Sequence, residues 1–256
     1  MTVREKLKKG LPVTGSWIQT GNTVAAEILA GKGFDFMVVD MEHTDSNEKE
    51  FCDIARAVKA ASVSCEPMAR LRENDTLAIR RVLDCGAKGV IIPLVNNAES
   101  AKKAVAAAKY PPEGVRGFAF VRANGWGKAF DAYAKEANGE TTVIVMIESK
   151  EAVENIDAIL EVEGVDGVLI GSYDLSGSYG VVGQTDHPSV KTAKSKVLAA
   201  CLKHHKAAGQ HIVLPTEENL AGALSEGYTF LALGMDTVFL ADGAERVMNV
   251  VKKERE

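Results

Sequence analysis

A (β/α)8 (TIM) barrel is the fold this chain predicts, on three observations. Eight apolar, β-branched runs alternate with amphipathic stretches along its 256 residues. The runs are near-continuous in apolar character, which marks strands buried on both faces, as a parallel sheet requires. No linker-like stretch divides the pattern, and its length suits one barrel of about 250 residues. A doubly wound open sheet is the competing architecture, but no GxGxxG turn follows the first run.

In chain order, VTGSWI (13–18) leads into the helical stretch 23–33, and FMVVDM (36–41) into 48–61. EPMARL (66–71) precedes the stretch 76–87, and GVIIPLV (89–95) precedes 99–110. TVIVMIE (142–148) is followed by 151–162, and GVLIG (167–171) by 190–209. HIVLP (211–215) and FLALGM (230–235) lead into 218–227 and 237–253. Apolar positions in the second member of each pair recur at i, i+3 and i+4, the helical period. Gly33, Gly86 and Gly227 stand where helix C-caps are expected.

Two segments break the spacing. Residues 110–141 form a Gly- and Pro-rich excursion that carries Arg116, Arg122, Trp126 and Tyr133. Long insertions of this kind serve as lids or interface loops, or pack on themselves as plain surface. The stretch 176–188 is also irregular.

Composition excludes several classes. Hydrophobic content of 46% and charged content of 25% are those of an ordinary globular protein. A net charge of -5 gives no general attraction to nucleic acid or to an anionic membrane. The N-terminus has no apolar h-region, and no apolar run reaches the ~20 residues of a spanning helix. Cys52, Cys65, Cys85 and Cys201 are scattered without a CxxC pair, as expected of reduced thiols in the cytoplasm.

The chemistry-bearing residues gather where predicted strands end, the rim at which parallel α/β proteins assemble sites. Glu148 and Asp174 close the fifth and sixth strands, neighbours in a barrel. Two carboxylates together there suit Mg²⁺ or Mn²⁺; either acid alone reads better as a helix cap. His43 follows Asp40 and Glu42 at the end of the second strand. Flanking acids would raise its basicity, as a general base requires. Arg70 ends the third strand, where a cation stabilises an enolate, binds a carboxylate or pairs with Asp40. Asp84 sits on the following helix and by itself reads as surface. His211 is placed at the start of a strand, at the opposite rim. No lysine stands at a strand end, which argues against imine chemistry.

In combination, these residues resemble the HpcH/HpaI aldolase family, metal-dependent (class II) pyruvate aldolases. The likeness rests on Asp40-Met41-Glu42-His43, Ala69-Arg70, the run YPPEGVRG from Tyr110, Ile147-Glu148-Ser149 and the string GVDGVLIG through Asp174-Leu175-Ser176. It spans nearly the whole chain. It implies a barrel of the phosphoenolpyruvate/pyruvate-binding type that cleaves 4-hydroxy-2-oxo acids to pyruvate and an aldehyde. It implies Glu148 and Asp174 as ligands of Mg²⁺, Mn²⁺ or Co²⁺, His43 as base and Arg70 as the enolate-stabilising group, beside Asp40. Asp84 then serves the histidine of a neighbouring subunit in a homohexamer, a trimer of dimers with an exchanged C-terminal helix. The backbone at Tyr173 and Asp174 would take the carboxylate.

The chain departs from the family pattern at Met146 (usually glutamine), Ser172 (usually proline), Tyr173 (usually alanine) and Leu71 (usually proline). The metal and base positions are kept while the shell around the substrate changes. Two alternatives stay open: an enolate-forming lyase, decarboxylase or synthase on another 2-oxo acid, and a weakly active carboxylate-binding barrel.

Overall fold

A computed structural model of the chain describes residues 1–253. Eight parallel strands close on themselves in sequential order, with β8 pairing back onto β1. They are β1 (Val13–Ile18), β2 (Phe36–Asp40), β3 (Glu66–Arg70), β4 (Gly89–Ile92), β5 (Thr142–Ile147), β6 (Gly167–Ile170), β7 (Ala207–Ile212) and β8 (Phe230–Met235). The helices are α1 (Val3–Lys8), α2 (Thr23–Ala30), α3 (Glu48–Ala61), α4 (Thr76–Asp84), α5 (Ala98–Ala108) and α6 (Phe130–Glu140). They continue as α7 (Lys150–Glu154), α8 (Ile156–Leu160), α9 (Ser172–Ser178), α10 (Pro188–Lys203), α11 (Glu217–Glu226) and α12 (Asp236–Lys253). Among the described residues, no helix is long and apolar enough to cross a membrane.

Alternate residues of each strand point into the barrel. Val13, Trp17, Phe36, Val38, Met68, Ile91, Ile144, Met146, Leu169, Phe230 and Ala232 fill it as one cluster. Phe36 stacks on Phe230 with ring centroids 4.4 Å apart. This ring occupies the room left by Gly15, where a Cβ would sit 2.2 Å from it. Continuing the same alternation to the strand ends brings Asp40, Arg70, Glu148, Gly171 and His211 to the C-terminal mouth. The fold thus converts a period of two into a ring of polar groups.

The opposite end is closed by α1, an element that periodicity did not reveal because it is six residues long. Val3 and Leu7 enter the inner cluster. Arg4 Nε lies 2.8 Å from Asp166 Oδ1, and the Val3 N–H donates to Glu66. The mouth is therefore the open end.

The seventh strand lies earlier than the sequence suggests. It starts at Ala207, and α10 stops at Lys203, where His205 takes φ +53°. Ala-Ala-Gly has weak strand propensity, yet only small residues fit: a Cβ on Gly209 would lie 2.6 Å from the Val168 carbonyl. Packing overrides propensity here, and His211 is carried from the expected opposite rim to the mouth. β1 and β8 match their predicted limits, the remaining five strands end one to three residues before theirs, and Ser172–Ser178 forms a short helix that the sequence pattern did not mark.

The 110–141 excursion folds against itself. Arg116 is fully buried between Tyr110 and Tyr133, its Cζ 4.4 and 5.8 Å from their ring centroids. Phe118, Phe120 and Trp126 remain exposed.

Candidate active site

Strand register sets the first contact. Asp40 and Arg70 are direct partners on β2 and β3. Arg70 Nε and Nη2 donate to the two oxygens of Asp40 at 3.0 and 2.6 Å, a bidentate pair. Asp40 is wholly buried and also accepts from Gln19 Nε2 and from the Glu42 and His43 N–H groups. Burial pushes its pKa up, but the Arg70 hydrogen bonds and charge outweigh that and hold it below the usual carboxylate range. Asp40 therefore orients Arg70 and shapes the Glu42–His43 turn; its carboxylate lies beneath the surface of the mouth. The guanidinium lies 4.5 Å from the ring centroid of Trp17, which forms its floor.

Glu42 turns back toward this arginine, Oε2 lying 3.1 Å from Nη1. That oxygen is buried and makes no hydrogen bond. Burial raises the Glu42 pKa, with the charges of Asp40 and Asp174 adding to it and Arg70 opposing. The His43 ring is more than half exposed, with Nε2 3.8 Å from Glu42 Oε2.

Glu148 follows β5 and is buried, Oε1 accepting the Leu94 N–H at 2.6 Å. Leu94 reaches it from a left-handed conformation, φ +57°, which costs a non-glycine residue about 1 kcal/mol or more. Gly171 gives Glu148 its room: a Cβ there would stand 2.8 Å from Glu148 Cβ and 3.1 Å from Oε2. Burial pushes the Glu148 pKa up to about 6, helped by the charges of Glu42 and Asp174. Asp174 lies exposed in the first turn of α9 beside Ser172 and the exposed Tyr173. The first intrahelical bond of α9 runs from the Leu175 N–H to the Gly171 carbonyl. Met146 is buried on the inward face below Glu148.

The predicted residues thus fall into two groups. Asp40, Arg70, Glu148, Asp174 and His43 gather around the mouth, with Ser172, Tyr173 and Met146 at its edge or floor. Asp84 does not join them within this chain. It ends α4 and accepts from Arg116 Nη2 at 2.8 Å, with one-fifth of its side chain exposed.

Three further residues of the mouth escaped sequence reasoning. Glu42 was read only as a flank for His43, although the i+2 spacing from Asp40 brings it back over the mouth. Trp17 and His211 pack with ring centroids 5.3 Å apart on the floor. Inward parity counted from Val13 would have found Trp17; finding His211 required the start of β7 at Ala207, which the sequence pattern hides.

The family model described as HpcH/HpaI aldolase/citrate lyase matches residues 14–242. A 4-hydroxy-2-oxo-heptane-1,7-dioate aldolase of Salmonella dublin is 40% identical over 245 residues, covering 94% of this chain and 91% of the relative. The crystal structure of an HpcH/HpaI aldolase/citrate lyase family protein from Burkholderia cenocepacia J2315 superposes with TM-score 0.93 at 30% identity, covering 98% of each chain. That of citrate synthase SbnG does so with TM-score 0.85 at 29% identity, covering 99% of this chain and 98% of the other. With its closed parallel barrel and its polar mouth, this chain belongs to the HpcH/HpaI aldolase/citrate lyase family and is a lyase of the class II aldolase type.

Proposed function

We propose that this protein is a divalent-metal-dependent aldolase that cleaves 4-hydroxy-2-oxo acids to pyruvate and an aldehyde. The observation that carries this reading is the Asp40–Arg70 pair fixed beside a rim where Glu42, Glu148 and Asp174 face one another.

The residues fit a cation. Glu42 keeps a buried oxygen without a hydrogen bond, and burial among acids pushes Glu148 up to about 6. The missing side chain at Gly171 lets the Glu148 carboxylate lie against its backbone. Glu148 and Asp174 would hold Mg²⁺, Mn²⁺ or Co²⁺, hard cations that take oxygen ligands. Among the described residues no group of three or more His, Cys, Asp or Glu could hold a metal ion. Oxygens of water and substrate must therefore complete the coordination. When bound, the cation supplies Lewis-acid stabilisation of charge that develops on the substrate's oxygens.

The chain's own groups account for the rest. His43 takes the proton of the 4-hydroxyl, the C3–C4 bond breaks, and the electron pair moves onto the 2-oxo oxygen. Arg70, held rigid by Asp40 and Trp17, has N–H groups left to stabilise that oxyanion. Return of the proton to C3 completes pyruvate. The N–H groups of Tyr173 and Asp174 receive the substrate carboxylate, with Ser172 and Met146 lining the pocket.

Asp84 of the partner subunit would raise the basicity of His43. The hexamer this needs, a trimer of dimers with α12 exchanged, is supported by exposed apolar residues on α12: Leu240, Val247, Met248 and Val250. Cytoplasmic residence is supported by the four free cysteines.

The test is pyruvate release from 4-hydroxy-2-oxoheptanedioate and a panel of 4-hydroxy-2-oxo acids. Activity should vanish in EDTA and return with Mn²⁺, Mg²⁺ or Co²⁺. Turnover indifferent to chelator would overturn the metal assignment. A second reading, a synthase or decarboxylase built on the same enolate, is favoured by Met146, which places a side chain without hydrogen-bonding power under Glu148. No pyruvate release from the panel, with oxalate still bound in a metal-dependent way, would select it.

A further inference from the structure

One buried cation lies outside the mouth and has no part in the reaction above. Arg116 is among the largest side chains that the interior seals completely. Gly114 brings it there: a Cβ at Gly114 would collide with the carbonyls of Lys109 and Ala106, so only glycine lets the chain press against the end of α5. The Val115 and Arg116 N–H groups then donate to the Ala106 and Lys109 carbonyls at 2.7 and 2.9 Å. Between Tyr110 and Tyr133, Arg116 Nη2 donates to Asp84 Oδ1 at 2.8 Å and to the Tyr133 hydroxyl at 3.2 Å. Nε and Nη1 are buried and make no hydrogen bond.

Stability does not account for this arrangement. A buried N–H without a partner costs more than one made hydrogen bond returns. Apolar side chains of similar volume often match or better a buried ion pair. An arginine sealed between two tyrosines with two donors idle is therefore kept for what it holds, the carboxylate at the last residue of α4. Its own seat is rigid, because Tyr110 stacks on Phe118 with ring centroids 4.4 Å apart and meets Tyr133 edge-on at 6.2 Å. A carboxylate at a helix end would otherwise turn freely in water. Only Oδ1 is taken. Oδ2 accepts from no described residue, and the exposed fifth of the side chain lines a groove between α3 and α4, outside this chain's own mouth. Asp84 is thus held still by one oxygen and offered outward by the other.

We propose that Arg116 is a positioning residue for the lyase reaction: it fixes the Asp84 carboxylate in the rotamer that presents Oδ2 to His43 of the partner subunit. The guanidinium touches neither substrate nor base and acts through Asp84 alone. This rests on the role given to Asp84 above.

The experiment is a double-mutant cycle on the Mn²⁺-loaded enzyme, read by pyruvate release: Arg116→Met, Asp84→Asn and the two together. Each single change should lower kcat about tenfold. The double variant should also fall about tenfold, where independent effects would multiply to about a hundredfold. The KM values for substrate and for Mn²⁺ should not move. Arg116→Lys keeps a cation beside Oδ1 and should recover part of kcat. It takes the place of Arg116→Met in the cycle if that variant does not fold, and its deficit should vanish when Asp84 is Asn. Full wild-type kcat in Arg116→Met overturns the inference, as does a double variant about a hundredfold down, which a merely structural role would give. Asp84→Asn at the wild-type rate removes the role of Asp84 and this inference with it, while pyruvate release by the wild type still supports the aldolase reading. No metal-dependent release by the wild type removes that reading and the inference together.

Discussion

The two ends of this barrel treat charge in opposite ways. At the base, acids meet cations: Arg4 with Asp166, Lys6 with Asp35, Lys88 with Glu140. Glu66 there accepts the Val3 N–H and lies in the fields of Lys88 and Lys59. At the mouth, Asp40, Glu42, Glu148 and Asp174 surround a single arginine, and Asp40 already engages two of its donors. One set of strands thus runs from a neutralised floor to a rim with surplus negative charge. The lesson is that stability and chemistry are separated along the strand axis. The surplus persists because closure of the barrel at its base supports it, and on the proposed function a cation and a substrate would remove it.

Removing one of the surplus charges gives the sharpest test. Glu148→Gln should lower kcat by about 10³-fold, the scale of losing a main electrostatic stabiliser. The same change should stabilise the metal-free protein. A carboxyl raised from 4.5 to about 6 contributes stability that is fully present below pH 4.5 and is lost as pH rises through 6. The loss amounts to about 2 kcal/mol at neutral pH. Thermal melts of the metal-free wild type should therefore fall between pH 4.5 and 7 relative to Glu148→Gln. A variant less stable than wild type at pH 7.5 would mean that the mouth carries no surplus.

Asp40→Asn comes next. It leaves Arg70 without its buried partner and opens the turn that carries His43. We expect kcat to fall about 10²-fold and stability by about 3 kcal/mol, read by pyruvate release and by urea unfolding. Full activity in this variant would show that Glu42 alone positions the guanidinium, and would reduce the mouth to three essential acids.

How much of this was legible in the sequence follows from the same two ends. The mouth was readable because strand ends carry paired polar residues, such as Asp40 and Arg70, at fixed spacing after apolar runs. The base was not: α1 is too short for a period, and its partners Asp166 and Glu66 are remote in sequence. His211 was misplaced because Ala207, Ala208 and Gly209 look like a helix end, and only the tightness of the barrel makes them a strand. The surplus charge at Glu42 was invisible for another reason. Whether an acid is paired depends on which side chains converge from four separate strands, and spacing along one strand does not contain that.

A smaller effect is expected at Asp84. Within the chain its carboxylate is held by Arg116, so loss of its charge leaves the mouth's own groups in place. Asp84→Asn should lower kcat about tenfold, a fraction of what a general base contributes, with metal affinity unchanged by calorimetry. Wild-type rates in this variant would confine the reaction to the groups of one mouth.

The smallest effect on catalysis should come from the base. Arg4 reaches Asp166 at 2.8 Å and the Gly139 carbonyl at 2.5 Å, and its side chain is nearly buried. Arg4→Met keeps the stem and removes the charge, leaving a buried carboxylate without its cation; stability should fall by about 3 kcal/mol. Activity per folded molecule should not change, because the pair lies at the far end of the strands. The comparison is most exposed at this residue. Asp166 also accepts the Val143 N–H at 2.9 Å, and so ties the start of β5 to the start of β6. Those two strands end at Glu148 and at the turn before Asp174. If the Arg4 pair sets their relative register, Arg4→Met would raise the KM for Mn²⁺ while sparing the KM for substrate. An unchanged Mn²⁺ titration in a destabilised variant would establish that the base supplies stability alone.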